Sequence, residues 1–537
     1  MKIKRVLIGG MIIFIICLFL WVCCSGGLFA AKDGRNISLP DNKAELISQQ
    51  WLYPLYNHRN INSSPLPGKN GRLKEIWRRG PATFTSSFLS ADITQDKKCE
   101  VVGSDSNGVY CLRGEDGSVI WRNNKFKDFS PEALVDFDKD DSLEIIGHDR
   151  KKMVYLLSGK DGRVLKNWQG MKKNLSWWFK DELFRRIYYL FTNEKYQDRE
   201  ITIVVPYDVD GDGTMEILFV SMGDPSYLHL LDCKTNKELW SFRMAGNSYF
   251  NRPVVADIDA DGKAEILIHS HDWKRMARET LFCIDYRGRL KWKYKFEPSK
   301  DLRERFGNVM DYGYISTIIA DFDGNGKLEI FSGTDTGIYL LDAQGGLIWR
   351  AETGVFGNGS ATVHKKGKTY HYRPPASDCP HFLVYDAAVG DLNNDGYLDV
   401  VIGLNSDYDM EYTEGPHREV NNLKYHNIIS RNKARAISGR DGSLLWECEG
   451  RHPVPEEGGC MCYPVIVDVN NDGKLDVVVF SNDNHLYGIK GNDGERLWDC
   501  PTDELTSNII IADVNGDGYG EILFISRDVL YCLAFYI

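Results

Sequence analysis

An acidic nine-residue loop recurs eight times in this chain, and each copy runs into an apolar strand. The copies begin at Asp92, Asp136, Asp208, Asp257, Asp321, Asp391, Asp468 and Asp513, 44 to 77 residues apart. A unit repeated at such a period means a solenoid or a propeller, because one unit cannot bury its apolar face without stacking on neighbours. The copy from Pro253 shows the unit most plainly: strand PVVA, loop DIDADGKAE, strand ILIHS, strand LFCIDY, turn RG, strand RLKWKYKF. Four short strands make one propeller blade. The shortest spacings, 44 and 45 residues, are the bare blade, and the excess elsewhere is insertion.

The turn before each fourth strand has its own pattern, as in GEDGSVIW, DAQGGLIW and GRDGSLLW. Gly or Asn there supplies the positive φ of a tight hairpin. Each turn leads to a tryptophan (Trp121, Trp168, Trp240, Trp292, Trp349, Trp446, Trp498) whose ring is expected to pack between adjacent blades. The eighth copy stops after VLYCLAFYI without a fourth strand, while GRLKEIWRR, Gly71 to Arg79, is an orphan fourth strand at the other end. Donating it would close the ring and cover an exposed sheet edge. The expected fold class is all-β: an eight-bladed β-propeller of four-stranded blades over residues 71–537, the last blade closed by an N-terminal strand.

The loop follows D-x-[DN]-x-[DN]-G-x-x-[DE], which puts side-chain oxygens at positions 1, 3, 5 and 9. Calcium takes six to eight oxygens at about 2.3–2.6 Å, and a glycine at position 6 permits the sharp turn. With neither Cys nor His in the set, zinc is disfavoured. Six loops match in full: Asp208/Asp210/Asp212/Glu216, Asp257/Asp259/Asp261/Glu265, Asp321/Asp323/Asn325/Glu329, Asp391/Asn393/Asp395/Asp399, Asp468/Asn470/Asp472/Asp476 and Asp513/Asn515/Asp517/Glu521. A seventh, Asp136/Asp138/Asp140/Glu144, has Asp141 in place of the glycine; the loop from Asp92 has Thr94 at position 3 and Lys97 at position 6, and is expected to be empty. About six or seven structural Ca²⁺ sites are therefore expected. Six bound ions would carry the net charge from −11 to +1 (−11 + 12), so the acidity reads as ligand charge awaiting cations. The same acidity, with no Lys/Arg cluster beyond the first five residues, excludes a general nucleic-acid binder.

Lys2, Lys4 and Arg5 precede an uncharged run from Val6 to Ala31. Val6 to Cys24 is 19 residues, long enough to span a bilayer, and cleavage near Ala30 or Ala31 is the alternative. Residues 1–31 thus read as a transmembrane anchor or signal peptide and 32–70 as a linker, placing the propeller outside the cytoplasm, membrane-anchored or secreted. Of 13 cysteines, ten lie beyond this segment, and Cys448 could pair with Cys460 or Cys462 or stay a free thiol.

Copies such as DVNGDGYGEILFIS resemble the FG-GAP/VCBS repeats of integrin α-subunit propellers, in which calcium sits between a blade's first two strands. The FG and GAP flanks are missing, so the resemblance is to the wider family. The DG-x-x-x-W turns, with Trp51, Tyr53, Pro54, Tyr56, Asn57 and His58 ahead of the first strand, resemble pyrroloquinoline-quinone-type repeats of eight-bladed propellers. Together they cover residues 51–537 and imply fold more than activity, since one fold hosts many functions.

Insertions at 166–200, 297–314, 350–385, 404–433 and 450–462 fall almost entirely on the face opposite the acidic loops. Long loops in a compact domain are usually functional, so a protein or glycan ligand is expected there. These insertions hold His364, His371, His381, His417, His426 and His452, with Asp407, Asp409, Glu411 and Glu414 nearby, but without metal-ligand spacing. Leu175 to Phe191 carries a helical apolar stripe suited to packing on the propeller or to docking. No catalytic constellation is evident, which favours a binding or scaffold module over an enzyme. The enzyme alternatives are a rhamnogalacturonan-lyase-like polysaccharide lyase, with His371, Arg373, His381 and Arg418 as candidates, and a quinoprotein dehydrogenase. Adjacent cysteines, of the kind the latter uses, occur only at Cys23 and Cys24.

Overall fold

Blade 1 shows how the repeat folds: Leu89–Ala91, Glu100–Asp105, Gly108–Leu112 and Val119–Asn123 pair in sequence order as one antiparallel sheet. In this computed structural model the described residues are Ser64, Leu66, Gly68 and those from Arg72 onward, except 81–87, 170–200, 222–225, 245–251, 273–276, 298–313, 353–360, 373–386, 412–417, 456–460 and breaks of one to three residues. Eight such sheets form a ring of blades, and no helix occurs among the described residues.

The eighth blade closes as the orphan strand requires. Ile510–Ala512, Glu521–Ser526 and Val529–Tyr536 are completed by Arg72–Arg79, which runs antiparallel to the last strand from Arg72 opposite Tyr536 to Arg79 opposite Leu530. Packing on the ring begins still earlier in the chain. Ser64 and Gly68 donate backbone N–H groups to the carbonyls of Ile466 and Asp468 at 2.8 and 2.5 Å, and Leu66 is buried in the core that joins blades 7, 8 and 1.

Each strand's composition follows from its depth in the blade. Second strands such as Glu216–Ser221 and Glu521–Ser526 are buried along their whole length, because neighbouring blades cover both faces. A fourth strand such as Leu290–Lys295 is an outer edge, where only alternate residues are sheltered. The hydrophobic core is accordingly a series of layers between blades: Leu89, Val102 and Leu134 seal blades 1 and 2, and Ile318, Val389 and Val400 seal blades 5 and 6. Fully burying one such side chain contributes roughly 1.5–3 kcal/mol.

The tryptophans bolt these layers together. The indole N–H of Trp77 donates to the Gly114 carbonyl of blade 1 at 2.6 Å, Trp121 to Gly159 at 2.6 Å, Trp240 to Tyr286 at 2.8 Å, Trp292 to Ala343 at 3.0 Å, Trp349 to Gly439 at 2.7 Å and Trp446 to Gly491 at 2.5 Å. Each reaches the turn of the next blade. The turn glycines must stay side-chain-free, since a Cβ on Gly117 or Gly345 would come within 2.8 Å of the Trp77 or Trp292 ring. Trp498 packs against Phe535 of the closing blade, ring centroids 5.9 Å apart, and its buried indole N–H has no hydrogen-bond partner.

Blade 6 carries what the sequence presents as loop insertions. Its second and third strands lengthen into Asp399–Glu411 and Asn427–Ile437, and a hairpin of Ala361–Lys365 and Lys368–Tyr372 joins by parallel pairing. Leu404, Tyr408 and Met410 alternate with Asn405, Asp407, Asp409 and Glu411, a period-two signal for strand. This register sets His364 opposite Glu411 and Thr362 opposite Asp409. Part of the insertion face is therefore sheet extended beyond the blade.

Candidate metal centres

The acidic loops share one hydrogen-bond frame, from which the Asp208 loop departs at position 5, where the Asp212 N–H donates to Asp210 at 3.1 Å. In blade 4 the Asp257 carboxylate accepts the N–H groups of Asp261 and Gly262 at 3.0 and 2.8 Å, Asp261 accepts from Lys263 at 2.8 Å, and Glu265 accepts from Ile258 at 3.0 Å. The first carboxylate thus folds the loop on itself, and the ninth ties the start of the next strand to position 2. The same set recurs in blade 5, where Asp321 holds Asn325 and Gly326 and Glu329 holds Phe322.

Two backbone positions in the loop adopt the left-handed conformation. Position 6 does so with glycine at Gly262 (φ 82°) and Gly326 (84°), and without it at Asp141 (66°) and Lys97 (71°). Position 4 does so in every copy, from Gly211 (70°) and Asn394 (57°) to Ala260 (59°). A Cβ at Gly262 or Gly326 would meet nothing within 4 Å, so glycine serves conformation there and not space. A non-glycine residue pays about 1–2 kcal/mol for that conformation, which a formed loop can absorb.

The frame leaves carboxylate oxygens converging. Positions 1, 3 and 9 come together in four loops, each triplet with ligand atoms within 4.8 Å of one another: Asp136/Asp138/Glu144, Asp208/Asp210/Glu216, Asp257/Asp259/Glu265 and Asp321/Asp323/Glu329. The loop without glycine, from Asp136, is among them. Asp140, Asp212, Asp261 and Asn325 at position 5 stand outside the triplets, each accepting an N–H from position 7. The loops from Asp391, Asp468 and Asp513 keep the frame through Asp395, Asp472 and Asp517, but Asn393, Asn470 and Asn515 place a neutral amide at position 3, and Asp399 and Asp476 close two of them with a shorter acid. In the Asp513 loop the Asn515 amide donates to Glu521 at 2.8 Å. In the first loop Thr94 donates to Glu100 at 3.3 Å, so an acid oxygen faces a hydroxyl.

Electrostatics show what these sites need. Burial, followed by the neighbouring loop acids, pushes Glu144, Glu216, Glu329, Asp399 and Asp476 up to about 7. Asp208 Oδ1 and Asp476 Oδ2 are buried with no hydrogen-bond partner. Clustered, dehydrated carboxylates with orphaned oxygens fit a hard cation bound by oxygen. In blade 4 a charge is already present: Lys291 Nζ lies 2.6 Å from Asp259 Oδ2 and 3.0 Å from Glu265 Oε1.

Elsewhere the blades bury polar networks without a sequence signature. His269 Nε2 lies 2.7 Å from Ser332 Oγ and 3.0 Å from Thr317 Oγ1, with Glu279 3.4 Å from its other nitrogen. Arg252 and His148 meet Glu132 at 3.3 Å, bridging blades 2 and 4. Cys448 is a free, buried thiol, as are Cys111, Cys233, Cys283 and Cys532. The N-terminal segment, Trp51 to His58, Leu175–Phe191, His381, His417, His426, His452, Arg373 and Glu414 lie outside the described residues, and only the backbone is described at His364, His371, Asp407, Asp409, Glu411 and Arg418.

Ring and loops together define the class, an eight-bladed propeller with a repeated acidic loop. The family description "FG-GAP-like repeat" matches residues 208–268 and 468–524, which contain the loops of blades 3, 4, 7 and 8. Among solved structures the chain is similar to a quinohemoprotein alcohol dehydrogenase from Pseudomonas putida HK5 (13% identity, TM-score 0.55, 94% of this chain and 82% of that one). It is also similar to a europium-containing methanol dehydrogenase (13%, 0.55, 92% and 100%) and to a quinohemoprotein alcohol dehydrogenase from Comamonas testosteroni (14%, 0.53, 91% and 80%). At such identities the likeness is one of fold. No curated protein matches the sequence.

Proposed function

We propose that this chain is an extracytoplasmic calcium-stabilised propeller acting as a protein- or glycan-binding scaffold, with calcium on one face and recognition on the insertion-bearing face. The observation that carries the calcium part is the convergence of positions 1, 3 and 9 into four triplets of carboxylate oxygens, each with its ninth-position acid buried. Asp136, Asp138 and Glu144, and the corresponding residues of the loops from Asp208, Asp257 and Asp321, would hold the ion; the Asn-bearing loops from Asp391, Asp468 and Asp513 would hold it with less charge. The bound ion supplies charge neutralisation and a rigid link between first and second strands. Extracellular modules bind calcium at about 10⁻⁴–10⁻³ M, so these sites would fill outside the cell. Anchoring or export would rest on the N-terminal apolar run; among the described residues no helix is long and apolar enough to cross a membrane.

Recognition is assigned to the opposite face because the sequence puts the insertions in connections expected on that side, and the strands of blade 6 lengthen within one of them. Calorimetry of the full-length protein tests the calcium part. Each site saturated at 100 times its dissociation constant stabilises the fold by about 2.7 kcal/mol, so chelation is expected to lower Tm by many degrees. An unchanged Tm would remove calcium from the account.

A second reading, a quinone-dependent dehydrogenase, draws support from the fold shared with alcohol and methanol dehydrogenases along nearly the whole chain. Supplying pyrroloquinoline quinone, calcium, an alcohol and an artificial electron acceptor separates the two. Sustained dye reduction would favour the enzyme, and its absence with intact calcium binding favours the scaffold.

A further inference from the structure

Every fourth strand carries a one-residue bulge beside its tryptophan turn. The residue skipped by the pairing is Ile76, Ile120, Leu165, Leu239, Lys291, Ile348, Leu445 or Leu497 in the eight blades. A bulge re-aims a side chain that regular pairing would fix. Seven of these side chains are apolar and one is a cation. That cation, Lys291, bridges Asp259 Oδ2 at 2.6 Å and Glu265 Oε1 at 3.0 Å, the third and ninth positions of its own blade's loop. Among the described residues, no lysine or arginine bridges positions 3 and 9 in the other three acidic triplets.

The ammonium therefore shares the two oxygens that a metal ion in this loop would use. It is held by the chain itself, so it competes at a fixed effective concentration and not at that of the solvent. Its side chain keeps 30% exposure, which leaves it a path to water when displaced. The four loop acids Asp257, Asp259, Asp261 and Glu265 match those of the Asp208 loop in type and number. The lysine thus distinguishes two loops with the same acids at the ligand positions.

We propose that Lys291 is a tethered competitor that makes the blade 4 loop the weak member of the calcium series, closed without metal by an internal ion pair and loaded only when calcium displaces the ammonium. The inference rests on the calcium reading of the loops and adds a graded response to it. Over the range in which the Asp208 and Asp321 loops are already filled, blade 4 still exchanges lysine for metal.

The test is calcium titration of the full-length protein by equilibrium dialysis and calorimetry, comparing wild type with Lys291→Met, Lys291→Gln and the control Ile348→Met. Both lysine variants are expected to tighten one equivalent of calcium by about tenfold, the worth of two exposed ion pairs, and Ile348→Met to change nothing. Adding Asp257→Asn to Lys291→Met should remove that same equivalent, placing it in this loop. Wild-type, Met and Gln isotherms that superimpose, with calcium still bound, would overturn the competitor role and leave the calcium reading standing. A wild-type protein that binds no calcium at about 10 mM, above the range of extracellular modules, would overturn both.

Discussion

Blades 1 and 2 both lack the loop glycine, yet their loops end differently. Lys97 and Asp141 take up the left-handed conformation at φ 71° and 66°, and in both loops the first aspartate clamps positions 5 and 6 through its two oxygens. Blade 2 nevertheless assembles Asp136, Asp138 and Glu144 into an acidic triplet, whereas blade 1 has Thr94 at position 3, hydrogen-bonded to Glu100. Folding the loop and building the site are separate tasks. Backbone N–H groups and the first and ninth acids perform the folding, and the residue at position 3 completes the triplet.

That separation can be broken most forcefully at position 3. Asp138→Thr should make blade 2 behave as blade 1, reducing bound calcium by one equivalent per chain while the strands stay paired; calorimetric stoichiometry and circular dichroism check both halves. The reverse change, Thr94→Asp, should add one equivalent, with a weaker gain in Tm because Lys97 and Lys98 flank the loop. If Asp138→Thr retains every ion, position 3 is not what distinguishes the blades.

A pH series sharpens the same contrast. Glu144 sits at about 7 in the metal-free fold, above the ordinary glutamate value near 4.5, so the folded state holds a proton that the unfolded state has released between those values. Metal-free stability should therefore be greatest below about 4.5 and fall as pH rises through 7. Calcium favours the ionised acids, so its stabilisation should grow over that interval. Chemical denaturation at pH 5 and 7.5, with calcium and with chelator, reads the sign directly; metal-free stability that rises across this window would contradict it. The smallest effect is conformational. Asp141→Gly removes the cost of a left-handed aspartate, about 1 kcal/mol, and should raise Tm slightly without changing the calcium count.

Much of this was legible in the sequence because propeller blades are local. Gly71 to Arg79 reads as a fourth strand without its turn partner, and its pairing with Val529–Tyr536 is the closure that reading requires. The tryptophan turns likewise gave the bonds between blades. What escaped depends on tertiary register. The left-handed residue at position 4 hides behind Gly, Asn, Ala, Lys and Gln, although Gly or Asn fills five of its eight copies. The bulge that aims Lys291 exists only as a mismatch between two paired strands, with no mark in either strand alone. The Glu132–His148–Arg252 cluster joins residues over 100 positions apart, and no periodicity encodes it. The lengthened second strand of blade 6 shows as alternation in residues 404–411, while the added hairpin of residues 361–372 depends on a parallel pairing that local pattern does not encode.

The central claim is that acidic loops around one ring are calcium sites whose frame folds independently of the ligand set. Counting calcium on the full-length protein by equilibrium dialysis at saturating metal, alongside its Tm, tests it most directly. Six or seven ions per chain with a Tm that rises on loading is the result expected; no bound calcium and a Tm indifferent to chelator would contradict it.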